Sequence, residues 1–216
     1  MRCIVTAGPT WEPLDRVRRL TNFSTGSLGG TLANALAAAG HEVILLLSES
    51  ATWRQPLWAV QVRPFSTAQS LAEAMTALAD PNPAAVFHVA AVSDFTGGHL
   101  EAPDADGAWE PLHAGKANSR QGPLRAELVP TPKILARLRD WFPRGGITGW
   151  KYEVDGSREE ALARGATQLD AARSDACVVN GPACGPELIW LRKDRPPERF
   201  ASRSLLVQAL VDALGA

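Results

Sequence analysis

The chain begins with a short apolar run, Cys3 to Ala7, a long polar loop, and an Ala/Leu-rich run from Gly26 to Ala39. This succession constrains its fold more than any other feature. The first run reads as a buried strand and the second as a helix. A strand, a Gly/Ser/Thr-rich loop and a helix N-terminus in that order build an anion site, because unpaired backbone N–H groups and the helix dipole face the loop. The plainer alternative is an ordinary helix start capped by Ser24 or Thr25, and the two are compatible. The loop is much longer than a dinucleotide-binding turn and lacks G-x-G-x-x-G spacing. No G-K-S/T is present, so it is not a P-loop either.

The rest of the chain continues the alternation. Strands are expected at His41–Leu47, Ala59–Pro64, Ala84–Ala90, Leu124–Val129, Gly146–Tyr152, Ala176–Asn180 and Glu187–Lys193. Helices are expected at Thr67–Asp80, Pro132–Phe142, Ser157–Arg173 with Ser157 as N-cap, and Ser202–Leu214. Gly40 suits the position just past the first helix. The Gly/Pro/Asp-rich stretch from Gly97 to Gly107 is long for a connector and reads as an active-site flap. Pro196-Pro197 marks a turn. Strands and helices alternating at these lengths predict an α/β, Rossmann-like, doubly wound and mostly parallel sheet with helices on both faces, in one domain over residues 1–216. In such sheets ligands bind beyond the carboxyl ends of the strands, and Ala90–Asp94, Gly149–Glu153 and Asn180 all follow strand ends.

With 45% hydrophobic residues and a net charge of -1, neither a disordered chain nor a nucleic-acid-binding surface is expected. No apolar run approaches the ~20 residues that span a bilayer, and Met1-Arg2 leads straight into strand-like sequence without a signal peptide. Cys3, Cys177 and Cys184 are odd in number and lack metal-ligand spacing. Cys3 and Cys177 read as core thiols, Cys184 sits in a loop, and a reducing cytoplasm is the economical expectation.

Gly8-Pro-Thr-Trp-Glu-Pro-Leu-Asp15, Val17-Arg18 and Thr21-Asn-Phe-Ser-Thr-Gly26 carry more than a fold. They resemble the opening of the phosphopantothenoylcysteine synthetase family, G-P-T-x-E-P-I/L-D-x-V-R followed by S/T-N-x-S-S/T-G. Further along, Ala90-Ala-Val-Ser-Asp-Phe95 resembles the family's A-A-V-A-D-Y/F/W, and Gly149-Trp-Lys-Tyr-Glu153 its G-F-A/K-A/L-E-T. The resemblance implies a ligase that joins 4′-phosphopantothenate to cysteine through an acyl-nucleotide, with Mg2+ and CTP or ATP. It also implies a homodimer, and, since the chain opens at the synthetase motif, a separate phosphopantothenoylcysteine decarboxylase as partner.

The same resemblance assigns roles. Asn22 would hold the acyl intermediate as an amide that neutralises oxygens without attacking; read alone, it is also a turn-forming Asn. Lys116, in Gly115-Lys-Ala-Asn-Ser-Arg120, would offset charge as pyrophosphate leaves, against the plain reading of a solvated loop lysine. Gly8, Thr10, Ser24, Thr25, Gly26, Ala90, Ala91, Asp94, Asn180 and Glu153 would line the nucleotide or phosphate site. Trp150 would face the base, or else serve as a core aromatic. No metal-ligand set is legible.

Two departures are visible. In Leu128-Val-Pro-Thr-Pro-Lys-Ile-Leu135, Pro130 replaces a family lysine and Lys133 a family aspartate. After Asn180 the family's aspartate is Gly181, and its G-F-x-S-D/E-x-N loop is absent. These departures favour the alternative of a relative that binds a nucleotide or phospholigand without ligating. A nicotinamide oxidoreductase fits the fold but would need the missing glycine fingerprint and a Tyr-x-x-x-Lys pair.

Overall fold

The computed structural model describes every residue except 59, 80–82, 114 and 216, and the Gln121 side chain is also not described. The expected strand start at Ala59 and helix end at Asp80 therefore lie outside the described residues. The chain runs β1 (Arg2–Ala7), β2 (Trp11–Pro13), β3 (Arg19–Thr21), α1 (Ser27–Ala38), β4 (Glu42–Ser48), β5 (Val60–Phe65) and α2 (Ala68–Thr76). It continues through β6 (Ala85–His88), β7 (Phe95–Pro103), β8 (Trp109–Pro111), β9 (Arg125–Pro130), α3 (Ile134–Trp141) and β10 (Gly146–Tyr152). The last elements are α4 (Arg158–Ala171), β11 (Ala176–Asn180), β12 (Leu188–Arg192), β13 (Glu198–Phe200) and α5 (Arg203–Gly215).

Eight strands form the main sheet in the order β13-β12-β11-β10-β6-β1-β4-β5. The six strands from β11 to β5 are parallel, and β12 and β13 extend the edge antiparallel. This is the expected α/β, mostly parallel, doubly wound architecture. Side chains alternate between faces along each strand, so consecutive apolar residues feed two cores. Cys3, Val5, Ala7, Val43 and Leu45 pack with Leu32 and Leu36 of α1 and Leu206 and Leu210 of α5. Ile4, Ile44, Val86 and Ile147 pack on the opposite face with Leu71 of α2 and Leu138 of α3. Cys177, Val179 and Ile189 meet Ala161 and Leu169 of α4 on that second face. Burial on both faces explains why β1 and β4 read as unbroken apolar runs. Each fully buried Leu or Ile contributes ~1.5–3 kcal/mol relative to an exposed one.

Local signals set the helix ends. Ser157 caps α4 in a reciprocal capping box with Glu160, and Thr67 does the same for α2 with Ser70. At the end of α1, Gly40 has φ 83°; its N–H bonds Ala37 and that of His41 bonds Leu36, which closes the helix as expected. The start of α1 differs from expectation. Gly26, at φ 80°, is its N-cap and offers no side chain, while Thr25, one residue earlier, accepts the Ser27 N–H on Oγ1 at 3.2 Å.

The Gly97–Gly107 stretch is likewise not a loop. Most of it is β7, which pairs antiparallel with β8 and β9 in a separate three-stranded sheet, with a register shift between Gly97 and Leu100. Gly97 is needed there because a Cβ would lie 2.5 Å from the Pro13 carbonyl oxygen. Cys184, unplaced by sequence, is fully buried in the α4 core. Burial pushes the Cys3 and Cys177 thiols up to about 11 and about 12, so all three stay protonated and inert at neutral pH. Among the described residues no helix is long and apolar enough to cross a membrane.

Candidate functional site at the switch point of the sheet

From β1 the chain moves outward through β4 and β5, then α2 carries it back to β6 on the other side of β1. The direction of winding therefore reverses between β1 and β6, and a crevice opens beyond their carboxyl ends. The two strands continue as a narrow zipper past those ends. Ala91 donates its N–H to the Gly8 carbonyl at 3.0 Å, and Thr10 donates to the Ala91 carbonyl at 3.1 Å. Gly8 sits at φ 91°, and a Cβ there would lie 2.7 Å from Ser48 Cβ. Gly8→Ala is expected to cost ~2 kcal/mol of stability, from left-handed strain and this clash. A urea titration checks it, and an unchanged midpoint would show that the strand end relaxes freely.

A cavity of about 930 Å³ fills the crevice and reaches over both faces of the sheet. On the α1 side it is lined by Gly8, Asn22, Ser24, Thr25, Gly26, Leu28, Gly29, Trp150 and Arg203. On the other side stand His88, Asp94, Lys133, Ile134, Leu135 and Gln168, with Ala90, Ala91 and Asn180 along the strand ends. The cavity brings together most of the predicted residues. The first turn of α1 opens into it, and four N–H groups at any helix start have no intrahelical partner. Ser27 N–H is taken by Thr25 Oγ1 and the Gly30 N–H by Gly26, whereas Leu28 and Gly29 have no recorded acceptor among the described residues. Arg203 donates to Ser27 Oγ at 3.2 Å, which sets a guanidinium at a helix end already positive by its dipole. Among the described lining residues Lys133 and Lys151 stand against one carboxylate, Asp94, and Glu153 pairs with Lys151 from outside the lining. Such a charge balance suits a polyanion.

Asn22 is exposed in the loop and donates from Nδ2 to the Ala91 carbonyl at 3.3 Å, which fixes its amide against the zipper. Asp94 pairs with Lys133. Pro130 itself ends β9 opposite Phe95. Trp150 is half-buried against the α1–α5 core and also lines the cavity, and its indole N–H has no partner among the described residues.

Three predicted residues stand elsewhere. Thr10 is fully buried and accepts from the Ser93 N–H at 2.8 Å; it braces the zipper instead of facing the cavity. Glu153 is held by Arg164 at 2.6 Å and Lys151 at 3.2 Å, outside the cavity lining. Its backbone takes up Asn180 and Ala183, and Gly181 at φ 114° leaves no room for a Cβ, which would lie 2.4 Å from the Glu153 carbonyl oxygen. Gly181 in place of the family aspartate is thus a packing requirement. Lys116 is exposed between Gly115, whose carbonyl accepts from Arg16, and Ala117, whose N–H reaches Asp15. It does not line the cavity.

The opening motif divides accordingly. Glu12 is buried and accepts the Ala68 N–H at the start of α2, at 2.7 Å. Asp15 accepts from the Val17, Ala117 and Arg18 N–H groups and from the Arg18 guanidinium, and these bonds hold its carboxyl down to about 2. Those residues are scaffold; the Asn22–Gly29 half faces the cavity. His88 was missed, because a histidine inside an apolar strand carries no sequence signal beyond its polarity.

The fold and the site define a Rossmann-like α/β unit with a crevice at its switch point that is lined by Lys133, Lys151 and Arg203. The chain matches the DNA/pantothenate metabolism flavoprotein C-terminal domain over residues 1–183, and it belongs to that family. It is 33% identical over 180 residues to the coenzyme A biosynthesis bifunctional protein CoaBC of Thermococcus kodakarensis, covering 83% of this chain and 41% of that protein. It is 30% identical over 207 residues to the phosphopantothenate–cysteine ligase of Homo sapiens, covering 70% of this chain and 63% of the human protein. The chain thus spans less than two thirds of the length of either relative. A solved DNA/pantothenate metabolism flavoprotein from Streptococcus pneumoniae shares the fold, with a TM-score of 0.87 at 23% identity, covering 100% of this chain and 98% of that one.

Proposed function

We propose that residues 1–216 form one phosphopantothenate–cysteine ligase unit of coenzyme A biosynthesis, working in the cytoplasm. The observation that carries the reading is the Asn22–Gly29 loop, whose amide and helix N-terminus face the same cavity as Lys133 and Arg203. In this reading the nucleoside triphosphate lies over the first turn of α1, held by the Leu28 and Gly29 N–H groups and Arg203. The 4′-phosphopantothenate carboxylate attacks the α-phosphorus, pyrophosphate leaves, and an acyl-nucleotide remains. Asn22 donates to the oxygens of that intermediate. The cysteine amine then attacks the acyl carbon and releases the nucleoside monophosphate.

Asp94 suits magnesium carried in with the triphosphate, since Mg2+ binds through one or two carboxylates plus phosphate oxygens. Among the described residues no group of three acidic, histidine or cysteine side chains forms a resident metal site. The ion would supply charge neutralisation at the phosphates. Lys116 enters the reaction only if its segment shifts or a second subunit delivers it, which accords with a homodimer. A phosphopantothenoylcysteine decarboxylase would then act on the product.

One observation favours the alternative of a non-ligating phospholigand binder: Lys116 stands outside the cavity of a single chain. Thermal-shift and calorimetric titrations with CTP, ATP and 4′-phosphopantothenate test the ligand set, and pyrophosphate release with the same ligands separates the readings. The ligase reading expects binding of 4′-phosphopantothenate and of one triphosphate; a protein that binds phosphorylated ligands but not 4′-phosphopantothenate contradicts it. In the same titrations Lys133→Ala is expected to weaken triphosphate binding roughly fivefold, ~1 kcal/mol for a solvent-exposed charge. Unchanged affinity would remove Lys133 from the site.

A further inference from the structure

His88 is the last residue of β6, paired in register with Thr6 of β1 and Gly149 of β10, at the crevice between the winding directions. It is 6% exposed yet lines the cavity. The proton positions around it follow from donor and acceptor accounting. Ala90 can only donate, and its N–H points to Thr6 Oγ1 at 3.0 Å. Thr6 Oγ1 lies 3.0 Å from His88 Nδ1. Thr6 is fully buried, and among the described residues its hydroxyl hydrogen has no other recorded acceptor. Were Nδ1 the protonated nitrogen, that hydroxyl hydrogen would be orphaned in the core, which native structures avoid. Thr6 therefore donates to Nδ1, and the proton of the neutral ring sits on Nε2. Burial supports the neutral form, pulling the imidazole down to about 4.

Nδ1 is taken, and Nε2 has no hydrogen-bond partner among the described residues. On these grounds we infer that His88 is a ligand-binding residue, a fixed neutral N–H donor in the cavity lining that binds an acceptor oxygen of the ligand. It stands on the face of Asp94 and Lys133, across the sheet edge from the first turn of α1. An imidazole fixed in this form grips an oxygen without adding charge or trading a proton. Its neutral donor complements the cations that serve the phosphates. This role rests on the ligase reading for the identity of the ligand. The acceptor oxygen belongs either to the triphosphate or to 4′-phosphopantothenate, and the two are separable.

The test is nitrogen-15 NMR of histidine-labelled full chain at neutral pH, alone and with CTP, ATP or 4′-phosphopantothenate. Free protein is expected to show a neutral His88 protonated on Nε2, and one ligand class is expected to shift that N–H resonance. An Nδ1-protonated or doubly protonated ring overturns the inference. Ligands that bind without moving the Nε2–H signal overturn it while sparing the ligase reading. Wild-type protein that binds none of the three contradicts both. In parallel, His88→Gln, which keeps an N–H near the Nε2 position, is expected to stay within about threefold of the parent affinity for the responding ligand. His88→Leu is expected to weaken that ligand about tenfold and leave the other unchanged. Equal losses in the two variants, or for both ligands, would mark His88 as structural only.

Discussion

Asn22→Asp is expected to leave the fold intact and to lower the rate of product formation by ~2–4 kcal/mol of transition-state stabilisation, the scale of one lost oxyanion donor. The geometry explains both halves. Asn22 is exposed and, among the described residues, its side chain makes one hydrogen bond, at 3.3 Å to the Ala91 carbonyl, so the folded state loses little. The substituted carboxylate, however, would face that carbonyl oxygen and the phosphates together, with no proton to share. Steady-state kinetics alongside a urea titration measure the two effects. Turnover equal to the parent would confine Asn22 to shaping the loop, and a collapse of stability would make the kinetic loss uninformative about the intermediate.

Acid destabilisation through His88 is the second large effect. In the unfolded chain its imidazole titrates near 6.5, and in the fold it is pulled down to about 4 by burial. Between these values the unfolded state binds more protons, so stability is lost as pH falls through that window. Linkage gives about 2.5 kcal/mol lost between pH 7 and pH 4.5. His88→Gln cannot titrate, so its stability should fall less over the same interval, by that difference. Asp15, held at about 2 by its N–H donors and Arg18, contributes equally to parent and variant and cancels in the comparison. Parallel losses in parent and variant would show that His88 is solvated in the fold.

The strands and helices of the main sheet were legible because burial on both faces of β1 and β4 leaves unbroken apolar runs, and the Thr67 and Ser157 capping boxes leave polar markers. Of the small sheet only β9 was, as the expected strand Leu124–Val129. β7 is only partly buried, with Gly97, Gly98 and Pro103 inside it, so its composition is that of a loop and only pairing with β8 and β9 makes it a strand. β2, β3, β8 and β13 have three residues each, too few to show a period.

Site residues divided along similar lines. Residues in contiguous motifs beside strand ends, Asn22 to Gly26 and Ala90 to Asp94, converge on the cavity. Thr10 and Glu153, in the Gly8–Asp15 and Gly149–Glu153 motifs, point into hydrogen-bond and ion-pair networks, and a motif does not say which way a side chain turns. Lys133 and Arg203 became visible only once α3 and α5 were placed around the crevice. His88 needed the Thr6 register across β1 and β6.

The central claim is that the crevice between β1 and β6 activates a carboxylate with a nucleotide. Pyrophosphate release by the full chain, measured with magnesium, 4′-phosphopantothenate and CTP or ATP, with and without cysteine, tests it most directly. The account predicts pyrophosphate formation that depends on 4′-phosphopantothenate, with sustained turnover only when cysteine is added. Folded protein that releases no pyrophosphate and forms no acyl-nucleotide with either triphosphate would contradict it.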